Sequence, residues 1–223
     1  MDVWYSVVKG IVRSYLMLFT DGYQVSGREN IPVGPKILVA NHAYPTDAFV
    51  LPFIFPEKLN FLIQAETFTL PVIGRLLMLA DQIPVTIGQG KEALKAARER
   101  LAIGNSVVIF PEAHLNHGEA LHRAGSGAAI LALQSGAPLL PMGIYVPKDY
   151  VKSITGHFYN RTTIGSWQTR GRMFINIGKP WLTPANEIAD KGYKSLRELT
   201  NRTMEQVNLL VQQAQQMAQL RLK

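Results

Sequence analysis

Apolar residues along the chain fall into two repeating patterns. Short unbroken runs ("KILVANH" from Lys36, "KLNFLIQ" from Lys58, "QIPVTI" from Gln82, "NSVVIFPE" from Asn105 and "APLLPMGIYV" from Ala137) are rich in Val, Ile and Leu, which predicts buried strands. Between them lie stretches with helical spacing. In "GQGKEALKAARERLAIG", Ala93, Leu94, Ala97 and Leu101 share one face and Gly104 closes the end. The segment "YKSLRELTNRTMEQVNLLVQQAQQMAQLRLK" sets Leu196, Leu199, Val207, Leu210, Val211, Ala214 and Met217 near one stripe, which predicts a C-terminal helix packed on the sheet. Alternating strands and helices imply an α/β fold, with a mixed, substantially parallel central sheet flanked by helices.

Two regions depart from that alternation. At the N-terminus, Trp4, Val7, Val8, Ile11, Tyr15, Leu18 and Phe19 recur at helical spacing with Lys9 and Arg13 on the other side. This is an amphipathic helix, expected either to pack on the domain or to lie in a lipid headgroup layer. Lys9 and Arg13 interrupt the apolar centre that a secretory leader would keep. From Pro147 to Gly171 the chain is irregular, with Lys148, Lys152, Arg161 and Arg170 interleaved with Tyr150, Phe158, Tyr159 and Trp167, which reads as a long loop or a β-hairpin. One domain is expected over residues 1–223: the amphipathic helix in 1–22, a motif-bearing core in 23–146, and in 147–223 the basic loop or hairpin, a final strand and the C-terminal helix.

Composition narrows the possible partners. The chain has 223 residues, 47% hydrophobic and 17% charged, and a formal charge of +7, which favours anionic partners such as lipid headgroups, phosphorylated metabolites or nucleic acid. With no cysteine, thiolate chemistry and disulfides are excluded, and a reducing compartment fits. No run approaches the ~18 apolar residues that span a bilayer. No nucleic-acid module is recognisable, so a nucleic-acid partner is not expected.

Candidate chemistry concentrates in two places. In "VANHAYPTDAF", His42 precedes Asp47 by five positions; on one continuous helix the two would point about 140° apart, so they can meet only across a strand-to-helix junction. Pro45 favours such a junction, leaving His42 on the loop and Asp47 near the helix start. There Asp47 could orient the imidazole so that its other nitrogen takes a proton, with the attacking hydroxyl supplied by the substrate. Alternatively Asp47 complements the helix N-terminus and His42 is a satisfied loop residue. The second place is "VVIFPEAHLNHGEALHR", where Glu112, His114, His117 and His122 could be ligands of a metal-dependent hydrolase, although their spacing is not a standard zinc pattern.

The ordered motifs resemble those of the lysophospholipid acyltransferases of the 1-acylglycerol-3-phosphate acyltransferase (PlsC) type. "VSGRENIPVGPKILVANHAYPTD" resembles the first block, with Asn41, His42 and Asp47 on its N-H-x4-D. "LPVIGRLLMLADQIPV" is similar to the second and "VVIFPE" to the third, and "LHRAGSGAAILALQSGAPLLPMGI" to the fourth. The resemblance implies transfer of a fatty acyl group from a thioester, on acyl-CoA or acyl carrier protein, to a hydroxyl of a lysophospholipid or glycerol-phosphate-like acceptor, as in phospholipid biosynthesis. His42 would be the base and Asp47 its orienter. Asn41, Phe110, Pro111, Glu112, Ala113 and His114 would belong to the substrate site, Glu112 shaping the acceptor pocket or else capping backbone donors at the strand end. No metal or organic cofactor is implied. The setting implied is an anionic membrane surface on the cytoplasmic side, met peripherally without a spanning helix.

The departures bear on the acceptor. Where the third block usually continues Gly-Thr-Arg-Ser, this chain has Ala113, His114, Leu115 and Asn116, and the arginine expected after "IPV" is replaced at Thr86 and Ile87. Two groups suited to bidentate phosphate recognition are absent. Either the acceptor lacks the usual phosphomonoester, or His114, His117, Arg75 or Arg123 supplies the charge, and the histidines would make phosphate affinity depend on pH. A non-catalytic lipid-binding module is the remaining rival; it predicts membrane association without turnover.

Overall fold

In a computed structural model, residues 2–119, 121, 123–158, 161–182 and 192–221 are described. A seven-stranded sheet forms the centre. Its strands are β1 (Tyr23–Ser26), β2 (Ile37–Ala40), β3 (Leu59–Gln64), β4 (Ile83–Val85), β5 (Ser106–Ile109), β6 (Leu139–Tyr145) and β9 (Met173–Ile177), in the spatial order β1-β9-β6-β2-β5-β3-β4. Only the β6–β9 pairing is antiparallel, so the sheet is mixed and mostly parallel. The five runs expected to be strands all lie in it. The strand β1, with the unremarkable sequence "YQVS", carries no alternation long enough to announce itself.

Both faces of the sheet are covered, which is why β2, "ILVA", is buried at every position. Leu38 and Ala40 face a core shared with α1 (Val3–Phe19) and α2 (Asp47–Val50). Ile37 and Val39 face the opposite core, built on α4 (Gly90–Ala102), α5 (Gly127–Ser135) and the long α6 (Gly192–Arg221). Ala93, Ala97 and Leu101 of α4 are buried as their spacing predicts. On α6 the buried stripe runs through Val207, Leu210, Ala214 and Ala218. That helix presses directly on β6: a Cβ added at Gly143 would stand 2.2 Å from the backbone of Leu210 and Val211.

The N-terminal helix is apolar on two sides. Tyr5 and Leu16 are buried, and Val12 and Tyr15 pack beside Leu16 against the core. Tyr5 Oη accepts the Leu59 N–H at 3.1 Å and Tyr15 Oη donates to the Gln168 carbonyl, so the helix is pinned near both ends. Val3, Trp4, Val7, Ile11 and Leu18 nonetheless stay exposed, Leu18 to 76%. The expected single apolar face is thus divided: an inner set docks the helix, and an outer set meets solvent. Nearby, α3 (Pro71–Leu79) packs against α1 and exposes Val72, Ile73 and Met78. No helix among the described residues is long and apolar enough to cross a membrane.

The basic stretch after β6 is a hairpin of β7 (Val151–Phe158) and β8 (Arg161–Gln168), registered Val151 to Gln168 and Ser153 to Ser166. The hairpin alternative therefore holds over the loop; Tyr159 lies outside the described residues. An aromatic joint ties its base to the helices: Phe49 of α2 meets Tyr15 edge-on at 5.3 Å and Trp167 of β8 at 6.3 Å. Gly143→Ala should lower the unfolding free energy by more than about 2 kcal/mol in urea titrations, because neither backbone can yield to the added methyl.

Candidate active site

Neighbouring parallel strands deliver the candidate residues to one end of the sheet. His42 follows β2 and Phe110 follows β5, and these strands are paired. The carboxyl ends of adjacent parallel strands are where open α/β sheets place their ligands. Between His42 and Asp47 the chain turns sharply at Tyr44 and Pro45, and α2 begins at Asp47. The Asp47 side chain folds back over this turn, its Oδ2 accepting the N–H groups of Ala43 at 2.7 Å and Tyr44 at 2.8 Å.

The same oxygen lies 3.5 Å from His42 Nδ1, with Asp47 fully buried and the imidazole 22% exposed. Nδ1 has no hydrogen-bond partner among the described residues, nor has Asp47 Oδ1. At 3.5 Å the contact is longer than a hydrogen bond, and closing it takes only a small ring movement. Phe110 restrains that ring, stacking on it at 4.1 Å between centroids and 13° between planes. Asp47 thus faces the imidazole while bonding the loop before α2, without capping the helix through its side chain, and His42 Nδ1 is not satisfied within the loop.

Glu112 holds the frame together. It is 2% exposed, and its Oε1 accepts the His42 backbone N–H at 3.0 Å. Asn116 Nδ2 donates to both Glu112 oxygens, at 3.0 and 2.9 Å, while the Asn116 N–H donates to the His42 carbonyl at 2.8 Å. One carboxylate and one carboxamide thus clamp the loop after β2 to the loop after β5. His117 N–H extends the clamp to the Ala43 carbonyl at 3.2 Å. Tyr44 Oη donates to the His117 carbonyl at 3.3 Å; burial first, and the Asp47 charge second, push this phenol up, so it stays a neutral donor.

The other expected site residues occupy distinct places. Asn41 is buried and turns away from solvent: its Nδ2 donates to the Ile144 carbonyl at 2.9 Å and its Oδ1 accepts the Ile144 N–H at 2.8 Å, fastening β2 to β6. Pro111 is buried, its carbonyl accepting the Gly125 N–H at 2.8 Å. Ala113 is exposed at φ 59°, in the left-handed region, with its carbonyl held by Gln64 Nε2 at 2.9 Å. His114 is exposed on the rim. His117 also has a positive φ, 53°. His122 lies outside the described residues, and no three His, Cys, Asp or Glu side chains converge as metal ligands among those described.

A family model described as Acyltransferase matches residues 22–145, a span that holds the whole of this frame. The chain belongs to the acyltransferase family. Among relatives within and beside it, the 1-acyl-sn-glycerol-3-phosphate acyltransferase of Pseudomonas aeruginosa is 32% identical over 134 residues, 56% of this chain and 52% of that protein. The lyso-ornithine lipid O-acyltransferase of the same organism is 32% identical over 137 residues, 60% of this chain and 52% of that protein. The chain thus spans about half the length of these curated relatives. Its fold is that of the 1-acyl-sn-glycerophosphate acyltransferase PlsC of Thermotoga maritima, with a TM-score of 0.63 at 22% identity over 92% of this chain and 79% of the other.

Against the acyltransferase motifs, Leu115 is half-buried and Ile87 is 85% exposed, so neither position offers a cation. Arg75 and Arg123 are exposed. The clamp residue Asn116 and the neighbouring Lys148 were visible in the sequence only as a motif departure and as one cation of a basic stretch; neither carries a local signal of what it contacts. Asn41→Ala should destabilise the protein by at least about 2 kcal/mol in chemical denaturation, since it leaves a buried N–H and a buried carbonyl of β6 without partners.

Proposed function

We propose that the protein transfers a fatty acyl group from a thioester, acyl-CoA or acyl carrier protein, to a hydroxyl of a lysolipid acceptor. The observation that carries this reading is the imidazole of His42, open on one side, 3.5 Å from the buried carboxylate of Asp47 on the other, and pinned through its backbone by Glu112. Relatives named for acylating 1-acyl-glycerol-3-phosphate and a lyso-ornithine lipid support the reaction class.

In this mechanism His42 accepts the acceptor hydroxyl proton as the oxygen attacks the thioester carbonyl. Asp47 closes onto Nδ1, fixes the tautomer and stabilises the imidazolium. The tetrahedral adduct then collapses: the C–S bond breaks, the new ester C–O bond remains, and the departing thiolate takes the proton from His42. No serine or cysteine of the protein needs to be acylated. The steps written here use no metal.

The reaction takes place on a membrane surface in this reading. Val3, Val7, Ile11 and Leu18 form one exposed stripe on α1, and the neighbouring α3 exposes Val72, Ile73 and Met78. Exposed apolar residues of this kind, on helices that also expose Arg13 and Arg75, suit an anionic lipid interface.

His42→Ala should cut acyl transfer by at least about 100-fold while leaving the far-ultraviolet spectrum and vesicle binding unchanged, and EDTA should not alter the parent's rate. Equal turnover by variant and parent would sink the mechanism. Ile11→Asp combined with Leu18→Asp should release the protein from anionic vesicles in sedimentation without lowering its unfolding midpoint, because both side chains are exposed in the fold.

A further inference from the structure

Beside the His42 loop lies a cleft of about 450 Å³, lined by Tyr44, His117, Lys148, Val151, Ser153 and Ser166. Its volume falls within the range of small-molecule sites, about 300–1,000 Å³. One wall is the pair of loops that frame the candidate base, through Tyr44 and His117. The other is the β7–β8 hairpin and the turn that leads into it.

Its polar groups are suited to an anion. Lys148 is exposed and its Cε reaches to 3.5 Å from where a Cβ on Gly118 would stand, so the ammonium overhangs the clamp loop. Ser153 and Ser166 sit opposite each other with their hydroxyls 3.1 Å apart. That contact uses one of the two hydroxyl protons and leaves the other free to donate. A second cation stands at the foot of the hairpin, where Arg170 Nε donates to the Asp149 carbonyl at 2.8 Å. Asp149, next to Lys148 in sequence, is exposed and carries an opposing charge.

Resting on the acyl-transfer reading above, we propose that this cleft receives the phosphate-bearing headgroup of the acceptor, with Lys148, on the β6 side of the His42 loop, supplying the positive charge. The headgroup enters beside the loop that carries His42, which brings the acceptor hydroxyl toward the base while the acyl chain remains on the lipid side. An ammonium acts here as a point charge without the geometric selectivity of a guanidinium, so a phosphate is held by charge and by the serine donor.

The test uses the full chain with labelled acyl-CoA and three acceptors matched in acyl chain: a 1-acyl-glycerol-3-phosphate, a lyso-ornithine lipid and an uncharged monoacylglycerol. Lys148→Gln should raise KM for the phosphate acceptor about tenfold, and Lys148→Glu further, with kcat and the acyl-CoA KM nearly unchanged and Lys148→Arg restoring function. Rates on the monoacylglycerol should not move. A KM rise shared equally by all acceptors, or confined to acyl-CoA, overturns the assignment. Calorimetry with glycerol 3-phosphate separates the two levels: binding lost in Lys148→Glu supports the cleft even if no acceptor turns over, whereas a parent that acylates the phosphate acceptor but loses nothing in Lys148→Glu overturns the cleft and leaves the acyl-transfer reading standing.

Discussion

The buried carboxylate of Glu112 is the contact on which the candidate site depends. It sits where two parallel strands end, and there it gathers the backbone of His42 and the side chain of Asn116. A buried charge is tolerable only when donors surround it, and here the donors belong to the two loops that must be kept in register. The carboxylate therefore converts a general property of α/β sheets, loops clustered at strand ends, into a fixed position for one imidazole. Phe110 completes the restraint by stacking on the ring, and Asp47 backs it from the start of α2.

Around this frame two kinds of structure meet. The sheet and its helices are closely packed, with Gly143 allowing α6 to lie against β6 and Asn41 locking β2 to the same strand. The clamp loop is different in kind. Ala113 and His117 both take left-handed backbone conformations that cost a non-glycine residue roughly 1–2 kcal/mol, and each is held by bonds to a neighbouring loop or strand end. The strain lies beside the candidate site, where hydrogen bonds from β3 and from the His42 loop offset it.

How much of this could be read from the residues depends on the range of the interaction. The strands β2, β3, β5 and β6 and the helices α4 and α6 are stated by local apolar spacing, and the His42–Asp47 junction follows from the turn imposed at Pro45. The hairpin β7–β8 was open because polar and aromatic residues alternate there without a clear buried side. The distant partners of Asn41 and Glu112 were not legible: Ile144 lies 103 positions from Asn41 and His42 lies 70 from Glu112, and nothing in the adjoining sequence encodes those distances. The same holds for Lys148, whose place over Gly118 is a product of topology. The amphipathic N-terminal helix was legible as a pattern, but its division into an inner and an outer face required knowing which residues the sheet would cover.

The aromatic joint formed by Tyr15, Phe49 and Trp167 couples three parts that the chain keeps far apart. Tyr15 belongs to α1, Phe49 stands two residues beyond Asp47, and Trp167 belongs to the hairpin whose other positions line the cleft. With the Tyr15 hydroxyl also fastened to the Gln168 carbonyl, α1 and β8 cannot tilt independently. A load on the outer face of α1 is thereby passed both to the hairpin that lines the cleft and to the start of α2 beside Asp47.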